Sequence, residues 1–180
     1  MPISFHVIND YLKKNTIAGL SRKPRFVDWH IIFPVSIFAI LSIVIGFGTN
    51  LFEPGLINSN LSLILPLSLF IFPSLLEELF FRGILIPIGA AEKSATKKLF
   101  YLLFSTLVFV LWHPLNALTI NQSAQYFFLD IRFLFITFLL GLACGYTYMH
   151  SKSIWVPVII HWLAVIVWVF FLGGRNLILE

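Results

Sequence analysis

The chain has 180 residues, of which 59% are hydrophobic, 17% aromatic and only 11% charged. A soluble domain carries about 25% charged residues, and the 20 charged side chains here share the chain with 20 phenylalanines, so a water-soluble globular fold and a disordered chain are both excluded. The net charge of +4 does not point to nucleic acid, because the basic residues sit in loops beside apolar runs, where they report membrane topology instead.

Residues 1–30 lack the apolar core and small-residue cleavage site of a signal peptide. Phe5, Ile8 and Leu12 recur at helical spacing with Asp10, Lys13 and Lys14 nearby, which predicts a short helix lying on the membrane surface; a plain tail is the alternative. Five apolar stretches follow, over residues 31–52, 61–88, 99–118, 127–149 and 154–172. Each is at least about 19 residues, enough to cross a hydrocarbon core of ~30 Å. The second contains Pro66 and Pro73, which predicts a kink or tilt. The expected fold is an all-α, polytopic transmembrane bundle of about five spans. An N-terminal segment (1–30) precedes one membrane domain (31–172), and a short tail (173–180) follows it.

Charge placement orients the bundle. Lys13, Lys14, Arg22, Lys23 and Arg25 precede span 1, Lys93, Lys97 and Lys98 lie between spans 2 and 3, and Lys152 lies between spans 4 and 5. Nine of the 12 Lys and Arg residues thus fall on one side, against Arg175 alone on the other. By the positive-inside rule the N-terminus is cytoplasmic, in the cytoplasmic membrane if the cell is bacterial. Trp29 and Trp155 stand at the cytoplasmic starts of spans 1 and 5, where interfacial tryptophans are common.

An ionisable residue inside a span costs ~2.5–3.5 kcal/mol on insertion scales, so each needs a partner or a task. Span 2 holds Glu77, Glu78 and Arg82. Glu78 and Arg82, at i,i+4, can pair along one helix face. Glu77 points about 100° away and has no local counterion, which marks it as functional. Span 3 carries His113, followed by Pro114 and Asn116, and span 5 carries His161. Counted at ~1.5 Å per residue from the cytoplasmic loops, Glu77, His113 and His161 lie at depths of about 18, 22 and 14 Å. Either histidine alone could be a packing residue; three helices bringing an acid and two imidazoles to similar depth is a site. Asp130 and Arg132 at the outer end of span 4 read as interfacial, and His6, His30 and His150 as solvated. The Gly141-x-x-x-Gly145 spacing reads as a close helix-packing face, with the sole cysteine, Cys144, inert beside it.

The ordered set Glu77-Glu78-x-x-x-Arg82, Phe109-x-x-x-His113 and a late-span His161 resembles the CPBP family of intramembrane glutamic proteases, the type II CAAX prenyl endopeptidases and their bacterial relatives. The similarity runs from about Ser74 to Val165 and includes Gly141–Tyr148 and the Ser153–Pro157 approach to His161. The His161-Trp162 pair with Trp168 and Gly173-Gly174 is similar to relatives linked to bacterial C-terminal sorting signals. The resemblance implies an endopeptidase without metal or other cofactor, acting on a membrane-associated protein or peptide, lipid-modified ones included. It assigns Glu77 and His113 to activating water and His161 to the oxyanion, with Glu78 and Arg82 in support.

One position departs from the family pattern. Val165, four residues after His161, stands where the family has a donor-bearing Asn. Asn116 and the Trp162 indole are the candidate substitutes. Val165 also keeps open a non-catalytic scaffold or immunity protein. The Glu/His cluster is chemically suited to a metalloprotease as well, although His-Glu-x-x-His is absent. Buried carboxylates would also suit a proton-coupled transporter, which five spans without an inverted repeat disfavour.

Overall fold

A computed structural model describes residues 5–57 and 59–174, apart from the side chains of residues 5–8. The expectations resting on Arg175, on the 175–180 tail and on the side chains of Phe5, His6 and Ile8 lie outside the described residues. Among those described, regular structure is helical apart from one parallel bridge between Gly55 and Leu172.

The predicted N-terminal helix is present as α1 (Phe5–Ser21). It is followed by α2 (Trp29–Gly48), whose first turn is capped by Asp28 accepting from the His30 amide at 2.9 Å. The second apolar stretch carries the kink that its prolines predict, as a full break in the helix. Residues 61–64 form turns, and α3 (residues 65–84) is a broken helix. Its opening turns, Leu65–Leu69, end in a break at Phe72, whose backbone is extended (φ −122, ψ 117). Pro73 explains the break, because its ring disfavours helical backbone at the preceding residue. Beyond it come Leu76–Glu78 and a π-helical turn, Leu79–Ile84. The sequence carried the proline but gave no sign of the wide turn, a local irregularity common near functional sites.

Helix α4 (Ala95–Thr119) is longer than expected at both ends, and α5 (Ile131–Ser151) starts later. Residues 125–128 form a separate turn, and Asp130 sets the start of α5 by accepting from the Arg132 amide at 2.8 Å. Arg132 clamps the same carboxylate and donates to the Thr49 carbonyl at 2.7 Å, which gives this pair a capping role. Helix α6 (Trp155–Phe171) closes the bundle. Three helices, α2, α4 and α5, are long and apolar enough to cross a membrane; α6, with 17 residues, is shorter.

Helix α5 is the central post. Its apolar window is 56% buried, against 22% for α2 and for α4, and it packs on α2, α4 and α6. The glycine spacing explains the approach to α4. A Cβ on Gly141 would lie 2.8 Å from Thr106 Cγ2, and one on Gly145 2.7 Å from Leu102 Cδ1. Cys144 is fully buried between them and points its thiol at the Pro157 carbonyl of α6. Gly141→Val is expected to push α4 and α5 apart at about 1–3 kcal/mol, read as a lower melting temperature in detergent.

The basic loops meet at one end of the bundle. Lys152 pairs with Glu92, Ser153 donates to the Arg22 carbonyl, and Trp155 donates to the Leu20 carbonyl. His30 and His150 are exposed there, but they are not simply solvated. Their rings stack 4.7 Å apart, and His30 Nδ1 lies 3.1 Å from the Tyr146 hydroxyl.

Candidate active site

The break in α3 leaves a short helical segment carrying Glu77, Glu78 and Arg82 into the bundle. Glu78 and Arg82 are fully buried. Arg82 Nη1 lies 3.1 Å from Glu78 Oε1, an ion pair outside hydrogen-bond angles, while Nη2 donates to the Gly141 carbonyl at 3.2 Å. The guanidinium sits 4.4 Å from the centre of the Phe109 ring, a cation–π contact that suits a charge held away from water. The same Glu78 oxygen is 2.9 Å from His161 Nδ1. The pairing of Glu78 with Arg82 was readable from their spacing; the bond to His161, 83 residues away, was not.

Glu77 turns to a different side, as its 100° offset requires. Its Oε1 accepts from the Trp112 indole at 3.0 Å, and its buried Oε2 has no hydrogen-bond partner among the described residues. Sequence reasoning missed Trp112; the signal was an indole one position before His113 in mid-helix. His113, 8% exposed, has Nδ1 2.9 Å from the Phe109 carbonyl one turn back. A carbonyl can only accept, so Nδ1 carries the proton in this bond, and in the neutral ring Nε2 keeps its lone pair. Phe109 also lies edge-on to both His113 and His161, with ring centres 5.0 and 5.6 Å away. The Phe-x-x-x-His spacing thus has a physical reading: one residue orients both imidazoles.

Glu77, His113 and His161 all line one cavity of about 1250 Å³, and Asn116 and Val165 line it too. Its walls are mostly apolar. Ile43, Phe72, Leu111 and Leu163 line it and are exposed on the flank of the bundle, so the cavity opens sideways. Ser42 reaches it from α2 with a buried hydroxyl that has no hydrogen-bond partner among the described residues, a contribution the sequence did not suggest. The two candidate donors separate. Asn116 stands at the cavity, its buried Oδ1 without a partner among the described residues. Trp162 spends its indole N–H on the Pro66 carbonyl at 2.8 Å, so it braces the first turns of α3 and has no donor left for an oxyanion. Among the described residues, no three His, Cys, Asp or Glu side chains gather in a way that could hold a metal ion.

The family model for Type II CAAX prenyl endopeptidase, Rce1-like, matches residues 59–167. The chain belongs to the Rce1-like family. That is a family of intramembrane glutamic proteases, embedded in membranes. The matched segment covers more than half of the chain and holds every candidate site residue, while α1 and α2 lie outside it. No curated protein and no solved structure matches the chain.

Proposed function

We propose that this Rce1-like chain hydrolyses a peptide bond of a membrane-associated protein, with Glu77 and His113 activating the water and His161 stabilising the oxyanion. Five membrane crossings, formed by α2 to α6 with the N-terminus cytoplasmic, complete the reading. The observation that carries it is the arrival of Glu77, His113 and His161 from three helices at one cavity that opens sideways.

The chemistry follows from the side chains. The carboxylate of Glu77, helped by the free Nε2 of His113, takes a proton from water as the oxygen attacks the scissile carbonyl carbon. The carbonyl π pair moves onto oxygen, and a tetrahedral oxyanion forms. His161, its Nδ1 held by Glu78, presents Nε2–H to that oxygen. Collapse of the intermediate breaks the C–N bond, and Glu77 passes its proton to the leaving nitrogen. Trp112 holds Glu77 in place through the oxygen that it occupies.

Val165 adds no donor, so the oxyanion depends on His161 and Asn116. Val165→Asn is expected to raise kcat roughly tenfold with KM nearly unchanged, because a fixed donor in a dry site acts mainly on the transition state. The function itself is tested with the full chain in liposomes and two probes: a quenched-fluorescence peptide ending in an S-farnesylated CaaX sequence, and the same peptide without the prenyl group. Mass spectrometry locates the bond cut. A correctly inserted protein that leaves both probes intact overturns a CaaX-directed protease; cleavage of both alike removes the prenyl requirement.

A further inference from the structure

The segment that carries Glu77, Glu78 and Arg82 begins after a break in α3, across which the Leu76 amide donates to the Ile71 carbonyl. The backbone breaks at Phe72, and the side-chain bond spanning the break is Ser74 Oγ to the Leu69 carbonyl, 2.8 Å. At its other end the helix runs out of its own donors. Pro87 has no N–H, so the Gly83 carbonyl cannot receive the bond that a helix would give it from four residues on. The next amide, Ile88, turns away from Ile84 as the chain leaves the helix.

Helix α1 supplies what is missing. Asn15, only 4% exposed, donates through Nδ2 to the Gly83 carbonyl at 2.8 Å and to the Ile86 carbonyl at 2.9 Å. Its Oδ1 accepts from the Ile88 amide at 2.7 Å. Both amide protons and the oxygen are used on three backbone groups of one helix end. Tyr11, one turn earlier on α1, donates its hydroxyl to the Ile84 carbonyl at 3.2 Å. The helix bearing this clasp is itself held, since the Gly19 carbonyl accepts from the Ile154 amide and the Leu20 carbonyl from Trp155. Arg82 precedes the clasped Gly83 by one residue, and Glu78 precedes Arg82 by one turn.

We propose that Asn15 is a positioning residue: from outside the family-matched segment, it clasps the C-terminal end of α3 and so sets the depth and rotation of the Glu77–Arg82 turn against His113 and His161. This rests on the reading of Glu77 as the group that activates water. A side chain that only stabilises the fold would lower the amount of active protein and leave the turnover of what remains unchanged. A clasp that sets geometry lowers turnover itself, because displacement of about 1 Å at a reacting group can cost on the order of 100-fold.

The test compares wild type, Asn15→Ala and Tyr11→Phe, each as full chain in liposomes, on the farnesylated CaaX probe and its unprenylated counterpart. Asn15→Ala is expected to lower kcat about 10- to 100-fold per folded molecule, with KM within about twofold and faster amide exchange at Ile88. Tyr11→Phe, which deletes one hydroxyl at a partly exposed position and keeps the ring, is expected to lower kcat about threefold in the same direction. Wild-type kcat in Asn15→Ala, or a loss confined to KM or to folded yield, overturns the clasp. If Asn15→Ala does not fold, an unchanged kcat in Tyr11→Phe overturns it. Ile88 exchange is read without any catalysis, so a failure of the Glu77 assignment, seen as full activity in Glu77→Gln, is distinguishable from a failure of the clasp.

Discussion

Glu77→Gln is expected to lower kcat by about 1000-fold, the middle of the range for a positioned acid–base group, while the melting temperature in detergent stays near that of wild type. The substitution isolates chemistry from packing. The amide has the shape of the carboxylate, and its oxygen can still accept from the Trp112 indole, which now spans 3.0 Å to Glu77 Oε1. What the amide cannot do is take a proton from water and return it to a leaving nitrogen. Kinetics on the farnesylated and plain CaaX peptides check the rate, and thermal unfolding checks the fold. Full activity in correctly inserted Glu77→Gln would place water activation on another group.

The parts of this molecule governed by period and composition were readable from the residues in order. The scarcity of charge isolated Glu77, Glu78 and Arg82, and the i,i+4 rule paired two of them, as the 3.1 Å ion pair does. The Gly141/Gly145 spacing marked the face on which α5 meets α4, because small residues at period four leave a groove in a helix surface. What escaped was long-range or irregular. Asn15 in an amphipathic N-terminal helix looks like a solvated polar residue, and its three bonds form only when the end of α3, 68 to 73 residues further along, returns beside it. Trp162 looked like a spare donor, since no sequence pattern shows that the break in α3 leaves the Pro66 carbonyl within its reach. The stacking of His30 on His150 joins α2 to α5 across 120 positions and has no local signature.

Arg82→Met is the second substitution with a large expected effect, and its cost falls on stability. Arg82 is fully buried, and its guanidinium answers Glu78, the Gly141 carbonyl and the face of Phe109 together. Removing one partner of a buried pair leaves the other charge uncompensated, at about 3–5 kcal/mol. The melting temperature in detergent is expected to fall by about 10 °C. Glu78 then keeps His161 Nδ1 as its neighbour at the same oxygen. Arg82→Lys should rescue little, because an ammonium lacks the planar fork that reaches Glu78 and Gly141 while stacking on Phe109. The paired change Glu78→Gln with Arg82→Met is the decisive comparison. Without the carboxylate charge, the apolar side chain fills the space at much lower cost, and most of the lost melting temperature should return. Catalysis should not return with it, since the carboxylate that orients His161 Nδ1 is gone. A double variant no more stable than Arg82→Met alone would show that Arg82 acts through Phe109 and Gly141 and not through Glu78.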